Sequence, residues 1–150
     1  MFKKLLVPLD RSELAEKALP YALSLAKTYQ AELILLVIVQ KIPPYILSSE
    51  MGMHSYALIE KDMEREVEVA QAYLSDLSAK YSDADFKLRT MTLTEQSVPE
   101  GIVEVANSED VDVIIKTTHG RSGPSRWVFG NVATKVLQQA PCPVFLVRVS

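Results

Sequence analysis

Apolar residues fall into two spacings along this chain, and their alternation predicts the architecture. Leu5, Leu6 and Val7 form an unbroken run closed by Pro8 and Asp10, the pattern of a buried strand ending in a turn. Leu14, Ala15, Ala18, Leu19, Ala22, Leu23 and Ala26 then recur at helical spacing, with Ser12 or Asp10 as cap. Pro20 interrupts this stripe, and because the stripe continues past it the expectation is one kinked helix rather than two. Residues 31–39, AELILLVIV, predict a central strand covered on both faces. Ile59, Met63, Val67, Ala70, Leu74, Leu77 and Tyr81 step by three or four, predicting a long amphipathic helix over 55–81 whose charges form a solvated face. Residues 86–93 predict a less hydrophobic strand nearer an edge. Ser97, Val98, Pro99 and Glu100 read as a capping box that opens a short helix. A fourth strand is expected from Val111 and a fifth from Pro143 to Val149. Between them Val132, Val136, Leu137 and Ala140 mark a helix with Asn131 at its N-cap.

This β-α order predicts a doubly wound, Rossmann-like three-layer α/β sandwich with a five-stranded parallel sheet, for which the strand order 3-2-1-4-5 is taken as the expectation. Ligands in such sheets lie beyond the carboxyl ends of the strands where the winding reverses, here between strands one and four. Residues 40–54 carry Pro43-Pro44, Ser48-Ser49 and Gly52 without a sustained period and are expected to form a mobile connection.

Composition narrows the partners. With 150 residues, 48% of them hydrophobic, one domain over 1–150 is expected. A net charge of −3 with scattered Lys and Arg excludes a general nucleic-acid binder. The lone Cys142 rules out an internal disulfide, and between two prolines it is expected to be a buried small residue; a reducing cytoplasm follows as the expected location. The apolar stretch after Lys3 and Lys4 is too short for a signal sequence, and no run suits a bilayer, so no membrane role is expected.

Candidate chemistry concentrates where strand four gives way to Thr117, Thr118, His119, Gly120, Arg121, Ser122 and Gly123, a polar glycine loop running to Gly130 and Asn131. A strand, a glycine loop and a helix start bring unpaired backbone amides to one place, where phosphate can be held without a dedicated cation. Asp10 could accept from ribose hydroxyls or simply cap its helix. His119 has no indicated carboxylate or serine partner and is read as structural, and no catalytic residue is nominated. Neither a P-loop nor a G-x-G-x-x-G fingerprint occurs, which removes the common kinase and dehydrogenase readings.

Thr118-His119-Gly120-Arg121-Ser122-Gly123 joined to Gly130-Asn131-Val132-Ala133, together with residues 7–12 and 140–144, resembles the universal stress protein family over nearly the whole chain. The resemblance implies an α/β homodimer and, in one subclass, ATP binding through G-x2-G-x9-G-(S/T). Laid on this sequence, that motif falls on Thr117, Gly120, Gly130 and Asn131. Thr117 replaces the first glycine and Asn131 the hydroxyl residue. By the same resemblance Pro8, Leu9 and Asp10 would edge the adenine and ribose pocket and Ile38 would pack on the base. Thr117 to Gly123 would hold the ribose and inner phosphates, and Asn131, Val132 and Ala133 the outer ones. The expected ligand is ATP, alone or with Mg or Mn, with ADP and AMP as alternatives; no protein metal ligands are nominated.

The implied function is a nucleotide-dependent regulatory module of the stress response. The alternatives are a slow ATP hydrolase and a dimerisation module that binds no nucleotide. The apolar edge strand Val144–Val149 favours a homodimer through pairing with its own copy. A Gly130→Val variant is expected to lose binding while staying folded.

Overall fold

In a computed structural model the described residues are 1–42, 53–119 and 130–149. They form a five-stranded sheet in the order β3-β2-β1-β4-β5, with all four neighbouring pairs parallel. The strands are β1 (Lys4–Leu9), β2 (Glu32–Gln40), β3 (Leu88–Glu95), β4 (Val113–His119) and β5 (Val144–Val149). The helices are α1 (Glu13–Glu16), α2 (Leu19–Tyr29), α3 (Met53–Lys80), α4 (Val98–Ser108) and α5 (Asn131–Gln139).

Strand alternation divides the core in two. Leu5, Val7, Leu33, Leu35, Val113 and Ile115 pack with Ala15, Leu19, Ala22, Ala26, Ala70 and Leu74 of α1, α2 and α3. Leu6, Ile34, Leu36 and Ile114 pack on the other face with Ile102, Val105 and Val136 of α4 and α5. The sheet is therefore covered on both sides, which is why β1, β2 and β4 are apolar almost without interruption. On the second face, a Cβ on Gly101 would meet Ile38 Cδ1 at 3.0 Å and Glu95 Cγ at 3.1 Å, so the missing side chain lets α4 lie close to β2 and β3.

Several boundaries differ from the sequence expectation. The single kinked helix is two helices: Pro20 cannot donate to the Glu16 carbonyl, so α1 ends there and Pro20 takes a first-turn position in α2, where no donor is needed. Ser12, not Asp10, caps α1, its hydroxyl accepting from the Ala15 amide at 3.1 Å. Ser97 stands at the N-cap of α4 without a side-chain bond, so the capping box does not form. Pro99 in the first turn has removed one of the amides such a cap would use. β1, by contrast, runs through Pro8 to Leu9 and ends where expected, at Pro8-Leu9-Asp10. Cys142 is half-buried rather than buried, and desolvation pushes its thiol pKa up, away from reactivity. Most of the expected connection 40–54 falls outside the described residues, although α3 already includes Met53.

Charges gather at the amino-terminal end of the sheet. Arg89 donates to Glu32 at 2.8 Å and also to Glu109, while Asp112 accepts from the amides of Lys3 and Lys4 at 2.7 and 2.9 Å. Burial opposes ionisation of Glu32 and Asp112, but their donors outweigh it; at Glu109 the Arg89 guanidinium dominates. All three carboxyls are therefore held below their ordinary values. Between the folded and unfolded pKa values the unfolded chain binds more protons, so this stabilisation is complete above the unfolded values and is lost as pH falls through the folded ones. Thermal melts should show Tm falling below about pH 4.5, the ordinary Glu value, and an Arg89→Met variant should show a smaller acid-dependent loss. An equal acid-dependent loss in both proteins would remove Arg89 from the explanation.

Candidate functional site

β1 and β4 lie side by side at the centre of the sheet, yet their ladder pairs only Leu5 with Val113 and Leu6 with Ile114. β1 continues to Leu9 and β4 to His119, so the two strands part toward their carboxyl ends. Pro8, which has no amide hydrogen to donate, falls in the stretch where this ladder has already ended. Beyond it Arg11 adopts a left-handed conformation with φ 67°, turning the chain between Asp10 and Ser12.

The parted strands open a trough made of two adjoining cavities. One, of about 170 Å³, is lined by Asp10, Ser12, Leu14, Ala15, Lys116 and Thr117 together with Gly130, Asn131, Val132 and Ala133. The other, of about 110 Å³, lies between Pro8, Leu9, Leu36 and Ile38 on the sheet and Val98 and Ile102 on α4. Asp10, Ala15, Lys116 and Val132 line both. Neither cavity alone reaches the roughly 300–1,000 Å³ of a typical small-molecule site, but together they make one continuous trough, apolar at one end and lined by a helix start at the other. Two larger hollows, of about 390 and 460 Å³, lie beside Tyr81 and Phe86 at the opposite end of β3, near the carboxyl end of α3. A helix end of that polarity disfavours anions, and neither hollow sits at the switch point.

The helix start is built by glycine. Gly130 is the N-cap of α5 at φ 85° and ψ 158°, a region open to glycine and to little else. Asn131 is therefore the first helical residue and not the cap, which corrects the sequence expectation. The first intrahelical bond observed runs from the Thr134 amide to the Gly130 carbonyl at 3.0 Å. The amides of Asn131, Val132 and Ala133 precede that bond and, among the described residues, meet no acceptor.

Between the two ends stand opposite charges. Ser12 donates to Asp10 Oδ1 through both its hydroxyl and its amide. Burial opposes ionisation of Asp10, but the Ser12 bonds and the nearby Lys116 charge outweigh it and hold the carboxyl below its ordinary value. Burial likewise lowers the pKa of Lys116, and Asp10 partly restores it. At the mouth α3 is tied to α1 and its approach, Arg11 pairing with Glu66 at 2.8 Å and the Tyr73 hydroxyl donating to Glu16 at 2.8 Å.

Of the residues expected at the site, Pro8, Leu9, Asp10, Ile38, Thr117, Gly130, Asn131, Val132 and Ala133 meet in this trough. Thr117, Thr118 and His119 were expected in a loop, but they extend β4 and pair with Val147, Arg148 and Val149 of β5. The parallel ladder satisfies their backbone, so the strand outlasts its apolar run. Thr118 is not among the residues lining either cavity. Gly120, Arg121, Ser122 and Gly123 lie outside the described residues. Lys116 was missed, as were Ser12, Leu14, Ala15, Leu36, Val98 and Ile102. The signal for Lys116 was its register: two residues after Ile114, it takes the next position on the face that packs against α4 and α5.

A family model described as the universal stress protein family matches residues 1–148. The chain belongs to that family. Universal stress protein MJ0531 of Methanocaldococcus jannaschii is 30% identical over 99% of this chain and 83% of its own length. The solved structure of protein MJ0577, from the same organism, matches with a TM-score of 0.80 at 25% identity, covering 100% of this chain and 98% of that one. A universal stress protein solved in complex with cAMP has the same fold, with a TM-score of 0.62 at 17% identity over 99% of this chain and 98% of its own. The family match covers the trough, both sheet faces and β5 as far as Arg148. Among the described residues no helix is long and apolar enough to cross a membrane.

Proposed function

We propose that this universal stress protein binds ATP in the trough between β1 and β4 and acts as a nucleotide-dependent regulatory module. The observation that carries the reading is the early end of the β1–β4 ladder. It leaves an apolar slot beside Ile38 and Ile102 in line with the open amides of α5. The slot suits the base, Asp10 can accept from the ribose hydroxyls, and the amides of Asn131, Val132 and Ala133 suit the outer phosphates. Thr117, beside Lys116 at the junction, suits the sugar and inner phosphates. The relative solved with cAMP supports an adenine nucleotide as the ligand class. Titration calorimetry with ATP, ADP and AMP tests the reading: saturable heat with ATP, accompanied by a rise in Tm, is expected. No heat and no thermal shift with any of the three would leave the dimerisation module as the alternative.

The same reading includes a homodimer through β5. That strand is the sheet edge, and Phe145 is 42% exposed there beside Tyr21, itself 50% exposed. Pairing with a second copy would satisfy the open ladder and cover both rings. Sedimentation at micromolar concentration should give twice the 16.7 kDa of one chain, and a species of 16.7 kDa alone would remove the dimer.

A further inference from the structure

Lys116 occupies a position that the β4 pattern would otherwise give to an apolar residue. Ile114, two residues earlier on the same face, is 0% exposed and packs with Ile102 and Val136. Lys116 is half-buried, and it is a lining residue of both parts of the trough, the apolar slot and the α5 end. Among the described residues no carboxylate oxygen approaches its ammonium closely enough to form an ion pair, although the Asp10 charge is near enough to favour the protonated form. A cation withdrawn from water in this way is costly unless something compensates it. Asp10 and Lys116 share the junction with opposite chemistry: a carboxylate that accepts, and an ammonium with three donors and no acceptor.

We propose that Lys116 is a specificity-determining residue that requires the ligand to carry an anionic group at the junction, namely the phosphate nearest the ribose. This rests on the nucleotide reading above. With the base in the apolar slot and the outer phosphates at α5, the sugar and first phosphate fall between Asp10 and Lys116. Asp10 takes the sugar hydroxyls and repels phosphate; Lys116 offsets that repulsion and donates to the phosphate oxygens. The site should therefore discriminate a nucleoside monophosphate from its nucleoside by a charge held in the sheet, in addition to the amides of α5. An exposed arginine in a loop could not do the same, because solvent would screen it.

The test compares AMP with adenosine by calorimetry in wild-type protein, Lys116→Met and Lys116→Arg. Methionine replaces the ammonium with an uncharged chain of similar reach, an exchange that buried charges commonly tolerate without loss of fold; equal circular dichroism spectra and a clean melt verify it. The ratio of AMP to adenosine affinity should fall about tenfold or more in Lys116→Met, the size of one charge-assisted hydrogen bond, and should stay within a few-fold of wild type in Lys116→Arg. An unchanged ratio in Lys116→Met, with ATP still bound by wild-type protein, would overturn this inference and leave the nucleotide reading standing. Equal loss of the ratio in Lys116→Arg would also overturn it, by showing that shape and not charge decides. Absence of binding by ATP, AMP and adenosine to the wild-type protein would remove both.

Discussion

Replacing Gly130 with valine should reduce ATP affinity about a hundredfold or more, the equivalent of losing one or two hydrogen bonds to a charged phosphate. At φ 85° and ψ 158° the backbone of Gly130 lies where a side chain bearing a Cβ is not accommodated. Valine must pull φ negative, and the next three amides, which begin α5, turn with it. The sequence expectation was a variant that blocks phosphate while staying folded. The left-handed cap adds a cost to that expectation, because strain of about 1–3 kcal/mol should appear as lower stability. For a domain of this size each kcal/mol lowers Tm by about 2–4 °C. Calorimetry and a thermal melt on the same preparation check both effects. A lower Tm with unchanged ATP affinity would mean that the amides of Asn131, Val132 and Ala133 do not grip the ligand. Gly130→Ala should show the same two effects to a smaller degree, since the φ conflict remains while the branched bulk does not.

The sheet was legible in the sequence because its signal is made by burial on two faces. The run from Ala31 to Val39 could only be a covered strand, and it became β2 at the centre of the sheet. The weaker alternation around Leu88 and Thr90 gave an edge strand correctly. What the pattern could not carry was set by single backbone groups. Pro20 split one apolar stripe into two helices, although both halves bury the same face. Thr117 and Thr118 looked like a loop because they are polar, yet they are 8% and 5% exposed within β4. Polarity there does not mark the end of the strand, because the end of an apolar run marks only the end of the core. The same ambiguity applies to Lys116, whose register places it on the α4–α5 face while its charge suggests solvent. The trough itself was only half legible. Pro8, Asp10, Gly130 and Ala133 carry local signals of a turn, a cap or a helix start. Leu36, Val98 and Ile102 look like any other core residues, and only the parting of β1 from β4 makes them the wall of a cavity.

Two adjacent leucines of β2 should separate core from site. Leu35 and Leu36 are both 0% exposed, but they point to opposite faces, Leu35 toward α1–α3 and Leu36 toward α4 and α5. Truncating either to alanine should cost about 2–5 kcal/mol, from lost burial plus a cavity that neighbours only partly refill. That is a large share of the roughly 5–15 kcal/mol available to a natural domain, so both melts should shift strongly. Only Leu36 also lines the apolar slot, together with Ile102, in register with Pro8 and so two residues beyond the last β1–β4 pair. Leu36→Ala widens that slot and removes contacts a base would make, so its ATP affinity should fall by about tenfold, within the effect of small apolar changes in a binding pocket. Leu35→Ala should bind ATP as wild type does, and saturating ATP should raise its Tm by the same linkage term. The comparison holds chemistry, depth and strand constant and varies only the face. Equal affinities in the two variants would place the base outside the slot, even if both proteins were equally destabilised. A binding loss in Leu36→Ala alone would tie affinity to the face on which β1 and β4 part, independently of any phosphate contact.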